Sequence, residues 1–118
     1  KMEIVLKDLQ KKLKIDFDLI SKKLKKAGVI LGLDDNTELS VVLVDNNTIK
    51  ELNLKYRGID KETDVLAFAL YNSLEEINYM KEKGLKEILL GDVIVNVEML
   101  KENEDNITSL IIHGLLHL

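Results

Sequence analysis

The stretch at residues 38–58, ELSVVLVDNNTIKELNLKYRG, does most to define the fold. Its first seven residues are rich in β-branched and apolar side chains, which is typical of a strand. Three residues that favour helix caps follow, and Ile49, Leu52 and Tyr56 then recur at helical spacing. Gly58 is of the residue type that most often ends a helix. The stretch therefore predicts a strand followed directly by a helix.

The rest of the chain alternates strands and helices in the same way. Further strands are predicted at 2–7, 64–70 and 88–97. An apolar stripe from Phe17 to Leu31 predicts a helix that starts at Asp16 or Asp18 and stops at Gly32. A short helix is predicted from the capping box Ser73–Glu76 to near Gly84, and a last helix begins at Asn106 or Thr108. The residues leave α/β and α+β open, and we expect a single α+β domain over residues 1–118. Its one mixed sheet has about four strands packed with helices.

The composition limits the classes of protein to which the chain can belong. Hydrophobic residues make up 46% of the 118 residues, which is too many for a wholly disordered chain. The longest apolar run is the size of a strand, far below the roughly 20 residues that a bilayer requires. The chain has no cysteine, which excludes disulfides and thiolate metal sites within it. With no secretory signal visible, we expect a cytoplasmic protein without a membrane segment.

The charge is unevenly distributed along the chain. Residues 1–26 hold nine lysines and four acidic residues, a balance of +5, whereas residues 27–118 hold eight basic and seventeen acidic residues, a balance of −9. Such a split is compatible with a nucleic-acid surface at the basic end. On charge alone, the favoured explanation is a solvated, lysine-rich helix face, because surface charges generally serve solubility first.

The last predicted helix carries both histidines of the chain. From Leu110 onward every residue is apolar or glycine except His113 and His117, which fall on one face because they are four residues apart. Two imidazoles at this spacing are the usual way in which a helix supplies two ligands to one metal ion. The alternative is a pair of structural histidines hydrogen-bonded at the rim of the core. Gly114 stands where zinc peptidases of the HExxH type have their general base, which argues against peptide hydrolysis by that mechanism.

Three ordered motifs resemble the YbeY family of metal-dependent endoribonucleases, which mature ribosomal RNA. HGLLHL at 113–118 is similar to the start of the family signature H-G-x-x-H-L-x-G-x-D-H, and LGDVI at 90–94 is similar to its L-G-D-I-x-I strand. LNLKYRG at 52–58 and DKETDVLAF at 60–68 are similar to L-N-x-x-Y-R-x-x-D-x-x-T-D-V-L-S-F. Glu62 and Ala69 replace family prolines, and Ala67 replaces a serine.

The signature continues to a third histidine that has no counterpart in residues 1–118. The sequence stops at Leu118, on an apolar residue with no helix stop signal, which indicates a cut end. We therefore expect a C-terminally truncated metallo-endoribonuclease domain. The resemblance implies one Zn²⁺ ion bound by His113 and His117, and catalytic zinc takes three protein ligands. With the third ligand absent, we expect weak zinc binding and impaired activity.

The resemblance also implies roles for residues outside the last helix. Arg57 matches the family's arginine and is the candidate for binding a phosphate of the substrate and for catalysis, since guanidinium is a planar donor fork for phosphate oxygens. Its alternative role is a salt bridge with Asp60 or Asp64. Tyr56 is predicted to be a core residue, with stacking on a base as the alternative. Asn53, Thr63 and Asp64 are expected to brace the loop around Arg57 through local backbone bonds, and Gly91-Asp92 to form a turn or a bulge in a strand near the site.

Two main hypotheses about function follow. The first is a metal-dependent, single-strand-specific endoribonuclease in ribosomal RNA processing, with ribosomal RNA and the ribosome as partners. Because the chain is acidic, the basic N-terminal segment, the ribosome or a partner protein would have to bring RNA to the site. The second is a non-catalytic RNA- or ribosome-associated binding module with structural histidines.

Overall fold

The computed structural model describes residues 2–32, 37–69, 82, 88–100 and 104–116, in which four strands form one sheet. The strands are β1 (Glu3–Asp8), β2 (Thr37–Val44), β3 (Val65–Ala69) and β4 (Ile88–Asn96), in the spatial order β1-β2-β4-β3. Strands β1, β2 and β4 are parallel, and β3 is antiparallel to β4. The predicted α+β architecture with one mixed sheet of about four strands is confirmed.

Helices cover both faces of the sheet. They are α1 (Phe17–Ile30), α2 (Asn46–Arg57) and α3 (Glu104–Leu116), and a 3₁₀ turn (Val97–Met99) follows β4. Ile20 of α1 and Ile111 of α3 belong to one buried cluster that also includes Val93. Ile49 of α2 belongs to a second cluster with Ile94. Because successive residues of a strand face opposite sides, α1 and α3 lie on one face and α2 on the other.

The predicted caps of α1 and α2 are confirmed. The Asp16 Oδ1 atom accepts a hydrogen bond of 3.1 Å from the Leu19 amide, and Asp45 Oδ1 accepts one of 2.9 Å from the Thr48 amide. The bond from the Thr48 amide also holds the pKa of Asp45 below its usual range. At the other end of α2, Gly58 takes the left-handed conformation with φ of 71°. These local hydrogen bonds fix where each helix begins and ends.

Several predicted boundaries differ from those observed. The first strand is shifted by one residue, and α3 begins at Glu104 rather than at Asn106 or Thr108. Acidic residues favour the first turn of a helix, which explains why Glu104 is included. Phe17 is 40% exposed although it belongs to the predicted apolar stripe of α1, because the buried part of that stripe begins at Ile20.

Two further findings concern the chain as a whole. The predicted helix from Ser73 to near Gly84 lies outside the described residues except for Glu82. None of the described helices is both long enough and apolar enough to cross a membrane.

Candidate active site between α2, β3 and α3

A cleft of about 310 Å³ lies at the β3 edge of the sheet. Its described lining residues come from three parts of the chain: Arg57, Asp64, Val65, Ala67, His113 and Gly114. Arg57 and His113, two residues chosen from sequence for their chemistry, therefore meet in one cleft. His117, the third candidate, lies outside the described residues.

Arg57 is the last residue of α2, and its side chain is exposed. The turn at Gly58 ends the helix directly after it, with the Gly58 amide donating to the Leu54 carbonyl at 3.0 Å. Within the described part of the chain, no carboxylate lies at ion-pair distance from Arg57. Asp60, one proposed salt-bridge partner, lies 4.0 Å from the Lys50 Nζ atom instead. The guanidinium thus lines the cleft at the end of a rigid helix.

Gly114 explains how close α3 comes to the sheet. A Cβ atom at this position would lie 2.7 Å from Val93 Cγ1 and 3.1 Å from Val65 Cγ2. Both distances are shorter than ordinary van der Waals contact, so only glycine fits without movement of the helix or the valines. The groups that approach Gly114 closely are thus two valine side chains of the sheet. It places His113, which is exposed, beside β3 in the cleft.

The loop between Arg57 and β3 is braced in part as expected. Asn53 is only 4% exposed, and its Nδ2 atom donates to the Lys61 carbonyl at 3.0 Å. The Ile59 amide donates to the Asn53 carbonyl at 3.3 Å. Thr63 Oγ1 donates to the Asp64 carboxylate at 3.4 Å, which is a bond between side chains rather than to the backbone. The bracing by Asn53 is confirmed.

Strand β4 contains a bulge directly before Gly91, and Gly91 and Asp92 themselves pair regularly with β2. Glu38 pairs with Leu89 and Leu39 with Gly91, so Leu90 is the extra residue. Gly91 has φ of 138°, and a Cβ atom there would collide with the Phe68 carbonyl oxygen of β3. Glycine is therefore required both by the backbone conformation and by the close approach of β3.

The prediction that Tyr56 is a core residue is wrong. Its side chain is 58% exposed, because the buried stripe of α2 runs through Ile49 and Asn53 and ends before the last turn. The ring packs edge-on against Phe68 with 5.4 Å between centroids, and the Lys55 Nζ atom lies 5.2 Å from the Tyr56 centroid. Of the two roles considered for Tyr56, a core residue or stacking on a base, the exposed ring next to Arg57 leaves only stacking as a hypothesis.

Asn96, the last residue of β4, was not identified from the sequence. It is fully buried and hydrogen-bonds the Thr63–Asp64 segment next to the cleft. Its only sequence signal is that it is a polar residue at the end of an otherwise apolar stretch, Val93–Val97.

The donors in the cleft are of the types that bind zinc. His113 offers an imidazole nitrogen and Asp64 a carboxylate oxygen, and zinc takes both. Among the described residues, no group of three or more histidine or acidic side chains is close enough together to hold an ion. The cleft therefore fits zinc in the type of its donors, and further ligands would have to come from outside the described residues.

Comparison with known proteins decides the family. The sequence model described as Endoribonuclease YbeY matches residues 5–118. The chain belongs to the YbeY family. It is 38% identical to the Endoribonuclease YbeY of Caldicellulosiruptor saccharolyticus, with 99% of this chain and 82% of that protein aligned. It is 37% identical to the Endoribonuclease YbeY of Clostridioides difficile, with 99% of this chain and 80% of that protein aligned. It is 36% identical to the Endoribonuclease YbeY of Leuconostoc citreum, with 86% of this chain and 70% of that protein aligned. The resemblance inferred from the three motifs is thus confirmed, and the cleft is a cleft of a YbeY protein.

Proposed function

We propose that this chain is a metal-dependent endoribonuclease that cleaves single-stranded RNA during the processing of ribosomal RNA in the cytoplasm. The observation that carries the proposal is the meeting of Arg57 and His113 in one cleft. The relatives named Endoribonuclease YbeY support an RNA substrate and a hydrolytic reaction.

Arg57 is proposed to bind the phosphate at the cleavage point. Its guanidinium carries a permanent positive charge and a planar set of donors that matches two phosphate oxygens. In the transition state the negative charge on those oxygens increases, so a donor fixed at the end of α2 stabilises that state more than the ground state. The exposed position of Arg57 leaves it accessible to a polynucleotide.

His113 and His117 are proposed as ligands of one zinc ion. When bound in such a cleft, zinc supplies a Lewis acid and lowers the pKa of water to about 7. The chain holds two histidines, so a third protein ligand within its 118 residues would have to be of another type, and Asp64 is the acidic residue of the cleft. We expect the 118-residue chain to hold zinc weakly and to cleave RNA below the rate of a fully liganded site.

The surface charge bears on how RNA reaches the cleft. The net charge of −4 opposes a polyanion, whereas residues 1–26 carry a balance of +5. Lys22 and Lys26 of α1 and the loop lysines Lys11 and Lys14 are exposed. We propose that this basic segment contacts the RNA backbone, with the ribosome or a partner protein as alternative routes of delivery.

The experiment measures cleavage of a single-stranded ribosomal RNA fragment by the chain in excess zinc, with and without a chelator. Arg57→Ala is expected to lower turnover by about a hundredfold while the unfolding temperature hardly changes, since the side chain is exposed. Lys55→Ala is the matched control, because it removes one positive charge from the same helical turn outside the cleft. His113→Ala and the chelator are both expected to abolish cleavage.

Two results would contradict this assignment. Equal losses of turnover in Arg57→Ala and Lys55→Ala would show that only the net charge matters. Cleavage that survives both the chelator and His113→Ala would remove the metal from the mechanism.

The second candidate is a non-catalytic RNA- or ribosome-associated binding module. The observation in its favour is that no three histidine or acidic side chains of the described residues lie close enough together to hold an ion. Binding of the RNA fragment without cleavage at any zinc concentration would support this candidate.

A further inference from the structure

Asn96 makes four hydrogen bonds from a fully buried position at the end of β4. Its Nδ2 atom donates to Asn46 Oδ1 at 2.7 Å and to the Thr63 carbonyl at 3.1 Å. Its Oδ1 atom accepts from the Glu98 amide at 3.1 Å, and its own amide donates to the Asp64 carbonyl at 2.8 Å. The side chain and the backbone N–H of Asn96 thus connect α2, the 3₁₀ turn and the segment that leads into β3.

Two of these bonds fix consecutive carbonyls, those of Thr63 and Asp64. Asp64 is the cleft residue that faces the solvent just before β3 begins. Asp60, Lys61 and Glu62, which precede this segment, are exposed, so burial of their side chains does not hold it in place. Asn96 therefore helps to set the direction in which the Asp64 carboxylate leaves the backbone, together with the Thr63 hydroxyl that donates to that carboxylate.

Asn96 is itself held from the α2 side. The Glu98 carboxylate accepts from the Asn46 amide at 2.8 Å and lies 3.2 Å from the Lys12 Nζ atom. The bond from the Asn46 amide, followed by that from Lys12, holds the pKa of Glu98 below its usual range. Both Nδ2 hydrogens of Asn96 have acceptors, so the side-chain amide has one preferred orientation. Turning the amide over would leave a buried donor without an acceptor, which costs free energy of folding.

We propose that Asn96 is a positioning residue for RNA cleavage, which holds the Thr63–Asp64 segment so that Asp64 faces Arg57 and His113 across the cleft. This inference rests on the proposed endoribonuclease function. Asn96 acts through Asp64 and lines no part of the cleft itself.

The test compares Asn96→Asp with Asn46→Ala in the full chain. Asn96→Asp keeps the shape and the acceptor for the Glu98 amide, but it places a carboxylate oxygen against the Thr63 carbonyl and Asn46 Oδ1 and loses both bonds that Nδ2 donates. Asn46→Ala removes the other partner of the same amide and leaves both bonds to the 63–64 segment in place. Asn96→Asp loses two hydrogen bonds of Asn96 and Asn46→Ala loses one of the same two, so both variants are expected to unfold at lower temperature, Asn96→Asp more so.

Two readouts separate positioning from stability. In Asn96→Asp, we expect kcat for the RNA fragment to fall at least about tenfold with KM changed by less than about threefold, since small displacements in an active site act on the chemical step. Amide hydrogen exchange in the peptide spanning 58–66 is expected to speed up in the same variant. In Asn46→Ala, kcat is expected to stay within about twofold and exchange in that peptide to stay unchanged.

Each alternative outcome counts against the inference. Falls of kcat in both variants that follow their loss of stability in the same proportion would make Asn96 a purely structural residue. Unchanged exchange at 58–66 in Asn96→Asp would show that Asn96 does not hold the segment. A wild-type chain that cleaves no RNA would refute the proposed function, and exchange alone would then decide whether Asn96 anchors the segment.

Discussion

Gly114→Ala is the substitution for which the structure gives the sharpest prediction. The new Cβ atom would lie 2.7 Å from Val93 Cγ1, which is 0.7 Å short of the 3.4 Å at which ordinary contact begins. Val93 is fully buried and β-branched, so it has no other rotamer to which it can move easily. Val65 Cγ2 at 3.1 Å blocks a sideways movement of the helix. The helix therefore has to move away from the sheet by several tenths of an ångström.

The magnitude follows from two opposing effects. Overpacking of a core by one methyl group costs about 1–3 kcal/mol, and replacing glycine by alanine inside a helix gains about 1 kcal/mol. The net loss of stability is thus about 1 kcal/mol, or roughly 4 °C in unfolding temperature for a domain of this size. Because His113 precedes Gly114 in the cleft, the displacement is expected to lower RNA turnover by about tenfold, more than the loss of stability alone explains.

The assay is thermal unfolding together with the kinetics of RNA cleavage in excess zinc. Ser109→Ala is the matched control, since it places alanine at an exposed position of the same helix. Val93→Ala combined with Gly114→Ala is expected to cost less than the sum of the two single changes, because it removes the nearer contact. A Gly114→Ala chain that is more stable than the wild type and equally active would show that α3 does not depend on this close approach.

Three further predictions concern other parts of the site. Gly91→Ala is expected to cost at least about 2 kcal/mol in a urea titration, because φ of 138° and the Phe68 carbonyl both exclude a Cβ atom; a change below about 0.5 kcal/mol would refute this. Stability is expected to fall as the pH drops below the usual carboxyl range, because the lowered pKa of Glu98 stabilises the fold only while the group is ionised. This contribution to stability is fully lost once the pH is below the pKa of Glu98 in the folded state. Glu98→Gln should reduce the pH dependence of stability, and an unchanged pH profile in that variant would contradict the prediction. Tyr56→Ala is expected to weaken binding of single-stranded RNA by about fivefold while Tyr56→Phe retains it, whereas equal loss in both would argue against stacking.

Local chemistry explains which parts of the fold could be predicted from the sequence. The caps at Asp16, Asp45 and Gly58 depend on hydrogen bonds and backbone conformations within four residues, so a short sequence window contains all the information. The parallel pairing of β2 with β4 and the place of β3 at the edge depend on contacts between distant segments. No pattern within a strand specifies the direction of its neighbour, and strand order was therefore not predictable.

The same distinction applies to the candidate site. Arg57 and His113 were identified because their residue types and motifs suggest chemistry, independently of the fold. Asn96 was missed because its partners Thr63 and Asn46 lie 33 and 50 residues away, and the network exists only after β4 pairs in the sheet. Tyr56 was misassigned because helical periodicity predicts a face but not where along the helix the core ends.

Two glycines together account for the position of β3, which forms most of one wall of the cleft. Gly91 lets the β4 backbone approach Phe68 at one end of β3, and Gly114 lets α3 approach Val65 at the other. Asn96 then fixes the two residues that lead into the strand. Among the described strands, β3 is a five-residue edge strand bonded to β4 alone, and it is thus held on three sides. Substitutions at Gly91, Gly114 and Asn96 are therefore all expected to displace β3 and, with it, the wall of the cleft that holds Arg57 and His113. Because they act on the same strand, their effects on turnover should be non-additive, although the three residues are far apart in the sequence.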